Sequence, residues 1–84
     1  MDAYLDKGRL LFNQNKLADA EKTFRLALRI SPATADFYYW LGKTEEAQGK
    51  KKDAALDYQR AYGLDHDMKE AHESAKRLQN PQTP

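Results

Sequence analysis

A small residue, an aromatic ring and a second small residue follow one another at intervals of four and three along this otherwise polar chain. The pattern occurs twice, at Ala20, Phe24 and Ala27 and again at Ala54, Tyr58 and Ala61. Residues at these intervals lie on one face of an α-helix. The chain is therefore predicted to contain amphipathic helices that bury a face of small residues around an aromatic ring.

Breaks in the pattern divide the chain into five predicted helices, at about 3–13, 17–30, 35–48, 52–64 and from after Asp67 to residue 79. Pro32 is expected to end the second helix, because proline disfavours helical geometry in the residue before it. Gly49 is placed to close the third helix in a left-handed conformation. Asp67 and Glu70 have the spacing of a capping box for the fifth helix. Residues 80–84 are predicted to form a disordered tail.

The sequence also repeats itself with a period of 34 residues. This shift aligns residues 1–34 with 35–68 without a gap. Eight residues of the first unit meet identical residues of the second: Asp2, Tyr4, Gly8, Gln14, Lys16, Asp19, Ala20 and Ala27. Each unit is predicted to be a pair of helices that leaves apolar surface on its flanks, so that stacking the units buries a continuous core.

Period, helix pair and residue choice resemble the tetratricopeptide repeat, whose unit follows W-x2-L-G-x2-Y…A-x3-F…A…P. The first unit matches it at Tyr4, Gly8, Ala20, Phe24, Ala27 and Pro32, and the second at Tyr38, Leu41, Gly42, Ala54, Tyr58 and Ala61. The resemblance implies an all-α fold, a right-handed α-solenoid of two antiparallel helix pairs followed by a fifth, solvating helix. The expected organisation within one domain is repeat 1 at 1–34, repeat 2 at 35–68 and a capping helix at 69–79. Lys7, Glu45 and His66 depart from the family pattern.

Length and composition restrict the functional classes. With 84 residues the chain is long enough for one small domain. The formal net charge of +1 offers no basic stripe for nucleic acid. No cysteine is present for a disulfide or thiolate site, and no apolar run is long enough to span or insert into a membrane. A cytoplasmic location is the expectation, with the periplasm left open as an alternative.

Candidate catalytic and metal-binding residues were weighed against structural roles. Asp65, His66, Asp67 and His72 offer metal-ligand chemistry. However, Asp67 is expected to cap a helix, and His72 is expected near the packing face of the fifth helix. No nucleophile, base and orienting group recur at a recognisable spacing. We therefore expect no metal, no cofactor and no catalysis by this segment.

The stretch FYYWLG, residues 37–42, places four aromatic rings side by side. Four neighbours on a helix sweep about 300°, so one core cannot bury all of them. By the resemblance, Phe37 and Tyr38 pack within the array, while Tyr39 and Trp40 face a concave groove lined by the first helix of each unit. This predicts a peptide-binding site formed by Leu5, Arg9, Phe12, Tyr39, Trp40 and Lys43. The alternative is that the groove aromatics pack against the fifth helix and leave no binding surface.

The function expected from the resemblance is a protein–protein interaction module that holds a peptide segment or a partner helix in this groove. The family's chaperone-tail clamp is not expected, because Trp40 and Glu70 stand where that clamp uses asparagine and a basic residue. The lining instead favours a ligand segment with apolar and basic groups. Two alternatives remain open: self-association as a homodimer through exposed end faces, and an accessory role within a larger protein.

Overall fold

The computed structural model describes residues 3–79, and these residues form five α-helices and no strand. The helices are α1 (Ala3–Asn13), α2 (Leu17–Ile30), α3 (Ala35–Ala47), α4 (Lys51–Leu64) and α5 (Lys69–Gln79). The predicted all-helical fold is confirmed, with helix ends that differ from prediction by a residue or so. The predicted disordered tail at 80–84 lies outside the described residues.

Each helix packs chiefly against the next one along the chain, and α1 also contacts α3. The core consists of two clusters of buried side chains. The first core cluster is Ala20, Phe24, Ala27, Phe37 and Leu41. The second core cluster is Ala54, Tyr58, Ala61, Ala71 and Ala75. The residues of the repeated four-and-three pattern are thus divided between the clusters, three in each, because each cluster joins the second helix of one repeat to the helix that follows it.

Two glycines allow close approach between the helices of each pair. A Cβ atom at Gly8 would lie 2.3 Å from the ring of Phe24, and one at Gly42 would lie 3.0 Å from the ring of Tyr58. Tyr4, which matches the family pattern at the position of the tryptophan, is 36% exposed. The ring of Phe24 already fills the space beside Gly8, so the first core cluster is closed without the phenol of Tyr4.

The turn inside each repeat uses the same backbone geometry. Asn15 and Gly49 occupy equivalent positions and have φ values of 62° and 83°. The next backbone N–H in each repeat, of Lys16 and of Lys50, donates a hydrogen bond five residues back, at 2.8 and 2.9 Å. This is the Schellman motif that ends helices at a left-handed residue. The predicted left-handed cap at Gly49 is confirmed.

The predicted capping box at the start of α5 is not formed. The carboxylate of Asp65 accepts a hydrogen bond from the backbone N–H of Asp67 at 3.0 Å, and α5 begins two residues later, at Lys69. An aspartate that closes a turn on the N–H two residues ahead competes with a helix cap for the same backbone. The connection between α4 and α5 is therefore organised by Asp65.

Candidate functional site

Three aromatic rings from α1 and α3 form a continuous surface, which we term the aromatic platform: Phe12, Tyr39 and Trp40. The rings of Phe12 and Trp40 meet edge to face with centroids 5.7 Å apart, and those of Tyr39 and Trp40 do so at 5.8 Å. All three side chains are half-buried. The platform exists because α1 and α3 lie side by side, which brings residues 28 positions apart in sequence into ring contact.

Two cations lie against these rings. The guanidinium of Arg9 is 5.1 Å from the centroid of the Trp40 ring. The ammonium of Lys43 lies 5.5 Å from Trp40, 5.6 Å from Tyr39 and 5.9 Å from Phe12. Lys43 follows Trp40 by three and Tyr39 by four residues, so a regular helix is enough to place its side chain over both rings. Each exposed contact of this kind contributes about 0.5–1 kcal/mol.

The structure therefore brings five of the six predicted site residues into one contact network. The sixth, Leu5, is half-buried and packs against the first core cluster, as Phe12 and Trp40 also do. Leu5 thus supports the platform from the side of α1.

The fifth helix takes part in the surroundings of one platform ring. Tyr39 packs against the second core cluster, to which α5 contributes Ala71 and Ala75, and its ring lies 5.7 Å from that of Tyr58. Burial raises the pKa of Tyr39, with a smaller effect from the negative charge of Glu70. Trp40 packs against the first core cluster instead. The alternative in which the groove aromatics pack against the fifth helix therefore accounts for part of the contacts of Tyr39 but not for those of Trp40.

One carboxylate on the same helix as Tyr39 and Trp40 already has partners. Glu46 accepts hydrogen bonds from Arg77 at 2.6 Å and from the phenol of Tyr58 at 2.9 Å. The bond from Arg77 holds the pKa of Glu46 below its usual range, and burial raises the pKa of Tyr58 far above its own. This network links α3, α4 and α5. Glu46 and Arg77 are 31 positions apart, so no helical spacing in the sequence indicates that they pair.

The platform presents hydrogen-bond donors that find no acceptor among residues 3–79. Neither Arg9 nor Lys43 forms an ion pair there, and the indole N–H of Trp40 makes no hydrogen bond within that range. The surface can therefore stack apolar groups on its rings while it donates hydrogen bonds from its cations.

The two histidines have aromatic neighbours. His72 stacks on the ring of Tyr62 at 4.4 Å, and His66 lies 5.2 Å from the same ring. No group of three or more histidine, aspartate or glutamate side chains suited to a metal occurs in the described part of the chain.

The family model described as "Tetratricopeptide repeat" matches residues 5–69, which is most of the chain. No individual curated protein shows significant similarity. Within residues 3–79, no helix has the length and apolar character needed to cross a membrane. The helix pairs, their shared turn geometry and the family match all indicate the same repeat architecture. The chain belongs to the tetratricopeptide repeat family, whose members generally serve as protein-interaction modules.

Proposed function

We propose that this chain is a non-catalytic interaction module that holds a peptide segment or a partner helix across the aromatic platform. The observation that carries the proposal is the network of Arg9, Phe12, Tyr39, Trp40 and Lys43, which combines half-buried rings with cations that have no ion-pair partner among residues 3–79. Aromatic and arginine side chains are the ones that most often dominate binding energy at protein interfaces.

The platform favours a ligand that carries apolar side chains and hydrogen-bond acceptors. The sequence predicted a ligand segment with apolar and basic groups. In the structure Glu46 is bonded to Arg77 and Tyr58, so its charge is already compensated. The rings beneath Arg9 and Lys43 restrict the motion of these two side chains. Less conformational entropy is therefore lost when a hydrogen-bond acceptor of the ligand binds them.

The test uses random ten-residue peptides without tryptophan, spotted on an array and probed with the labelled chain. Trp40 is the only tryptophan, so its fluorescence then reports directly on binding of the enriched peptides in solution. We expect the fluorescence to change on titration, and the double variant Arg9→Ala/Lys43→Ala to weaken binding about tenfold or more. Lys51→Ala/Lys52→Ala removes the same charge from the exposed start of α4 and serves as the matched control.

Two results would contradict the proposal. One is enrichment of peptides that bind equally well to wild type and to the platform double variant while the Trp40 fluorescence stays unchanged. The other is a molar mass, measured in parallel by light scattering, that doubles with concentration in wild type and not in the platform variant. That second result would assign the platform to self-association.

A further inference from the structure

A second groove lies between α2 and α4, where both helices pack on α3 but only weakly on each other. It consists of two adjoining depressions of about 360 and 430 Å³ that share Tyr38 and Arg60 as lining residues. We term it the α2/α4 groove and define it by six residues: Arg25, Leu28, Arg29, Tyr38, Arg60 and Leu64. Its floor is the face of α3 that carries Tyr38, two residues before Trp40. Positions two apart on a helix differ by about 200°, so this groove faces away from the aromatic platform.

The charge exposed to solvent in this groove is positive. Its lining contains three arginines and a single carboxylate, Asp57. The side chain of Asp57 is only 5% exposed and is bonded to Arg60 at 2.8 Å, whereas the side chains of Arg25 and Arg60 are 53% and 56% exposed. The negative charge is therefore at the base of the groove and the guanidinium groups are at its surface.

The arginines are held in place yet keep free donors. Arg25 is fixed through two of its nitrogens, by Glu21 at 2.8 Å and by Glu45 at 2.9 Å. Arg60 uses one nitrogen for Asp57, and its guanidinium lies 6.0 Å from the ring of Tyr38. A guanidinium has five N–H donors, so each retains donors for a further carboxylate. Arginine is the side chain whose planar fork matches carboxylate geometry best.

Apolar groups accompany these cations. Leu28 is half-buried in the wall formed by α2, and Leu64 is 46% exposed in the wall formed by α4. Pro32 and Ala33 close the end of the groove near Leu64. A ligand that satisfies the groove needs carboxylates for the arginines and apolar side chains for the surface between them.

We propose that the α2/α4 groove binds an acidic segment of a partner protein whose apolar side chains are interspersed among its carboxylates. Arg29 has no ion pair within residues 3–79, and Arg25 and Arg60 keep free N–H donors beside their internal partners, so the groove favours a partner with carboxylates. Such charge complementarity raises the specificity and the association rate of binding. The exposed leucine surface favours a protein over a nucleic acid, because a phosphate backbone carries no side chains to cover it. The interaction is independent of the aromatic platform.

The test is an NMR titration of the ¹⁵N-labelled full chain with a synthetic mixture of ten-residue peptides. Positions in the mixture alternate between Asp or Glu and Leu, Phe or Tyr. We expect saturable shifts of the backbone amides of Leu28, Arg29 and Leu64. Arg29→Glu should weaken these shifts about tenfold. Arg29 forms no ion pair within residues 3–79, so its replacement breaks no internal ion pair there. Lys51→Glu makes the same charge change at the exposed start of α4, outside both proposed sites, and is the matched control.

Several outcomes would overturn the proposal. These are the absence of shifts in the groove, equal shifts with a mixture that has Lys or Arg in place of the acidic residues, and equal shifts with poly(U) RNA. Shifts that Arg29→Glu and Lys51→Glu reduce equally would indicate a general charge effect. A molar mass that doubles without peptide and depends on Arg29 would assign the groove to a second copy of the chain.

Discussion

Glu45 provides the sharpest prediction, because it is a carboxyl group buried beside another one. Its side chain is 1% exposed, and burial, together with the neighbouring carboxyl group of Asp57, raises its pKa to about 8 from an ordinary value of 4.5. One oxygen accepts a hydrogen bond from Arg25 at 2.9 Å, and the other is buried without a hydrogen-bond partner in the described structure. A proton on that second oxygen allows Glu45 to donate to Asp57, which explains both observations.

We predict that Glu45→Gln stabilises the protein at pH 8 far more than at pH 5. The amide can accept from Arg25 and donate to Asp57, as the protonated acid does, but it never becomes charged. A raised pKa in the folded state means that the folded protein binds the proton more tightly, so wild-type stability falls as the pH rises from 4.5 to 8. Above pH 8 Glu45 is ionised in both the folded and the unfolded state, so its contribution to the free energy of unfolding no longer changes with pH. The free energy of unfolding of the variant relative to wild type should therefore grow by about 3–4 kcal/mol between pH 5 and pH 8.

The assay is urea unfolding of both proteins, followed by circular dichroism at half-unit intervals from pH 4.5 to 9. Ionisable groups that do not interact with Glu45 cancel in the difference, which isolates the coupled pair of Glu45 and Asp57. Glu46→Gln is the control of opposite sign, because Arg77 lowers the pKa of Glu46. Its native ionised form stabilises the fold above the ordinary pKa, and this contribution is lost as the pH falls through the lowered value. Parallel stability profiles for wild type and Glu45→Gln would refute the shared-proton interpretation.

Substitutions at Gly8 and Tyr58 test the packing and the hydrogen bonding of the array by urea unfolding. Gly8→Ala should destabilise the fold by about 1–3 kcal/mol, because its Cβ would overlap the ring of Phe24. Gly63→Ala is its matched control: no atom lies within 4 Å of the new Cβ, so a gain of about 0.5–1 kcal/mol from helix propensity is expected, and equal losses at both sites would contradict this account. Tyr58→Phe should cost about 1 kcal/mol at pH 7 through loss of the hydrogen bond to Glu46, and should leave stability unchanged if that bond contributes nothing.

The sequence was most informative where interactions are local. The four-and-three spacing around Phe24 and Tyr58 predicted the buried face of α2 and α4, and the repeat placed Gly49 at a left-handed turn. The contact of Lys43 with Trp40 follows in the same way from a spacing of three. The expected site residues also lie together, although binding at that site remains a prediction.

The sequence was least informative where polar side chains from different helices meet. Arg25, Glu45 and Asp57 are separated by 20 and 12 positions, and no periodic pattern links them. Glu45 was noted only as a departure from the family pattern, at a position where a tyrosine is usual. A buried pair of carboxyl groups needs a shared proton and a neighbouring cation to offset the cost of burying its charge. Here the three groups come from three different helices, so the spacing of residues within any one helix does not predict them.

The aromatic run at 37–40 shows how one helix can serve several surfaces. Phe37 is buried in the first core cluster, Tyr38 forms the floor of the α2/α4 groove, and Tyr39 and Trp40 belong to the platform, where Tyr39 also packs against the second core cluster. Four neighbours cannot share one environment, because each lies about 100° from the next. Only a helix with neighbours around most of its circumference can provide them, and α3 packs against α1, α2 and α4. Because Tyr38 and Trp40 lie on nearly opposite faces of α3, ligands at the two proposed sites would not exclude each other.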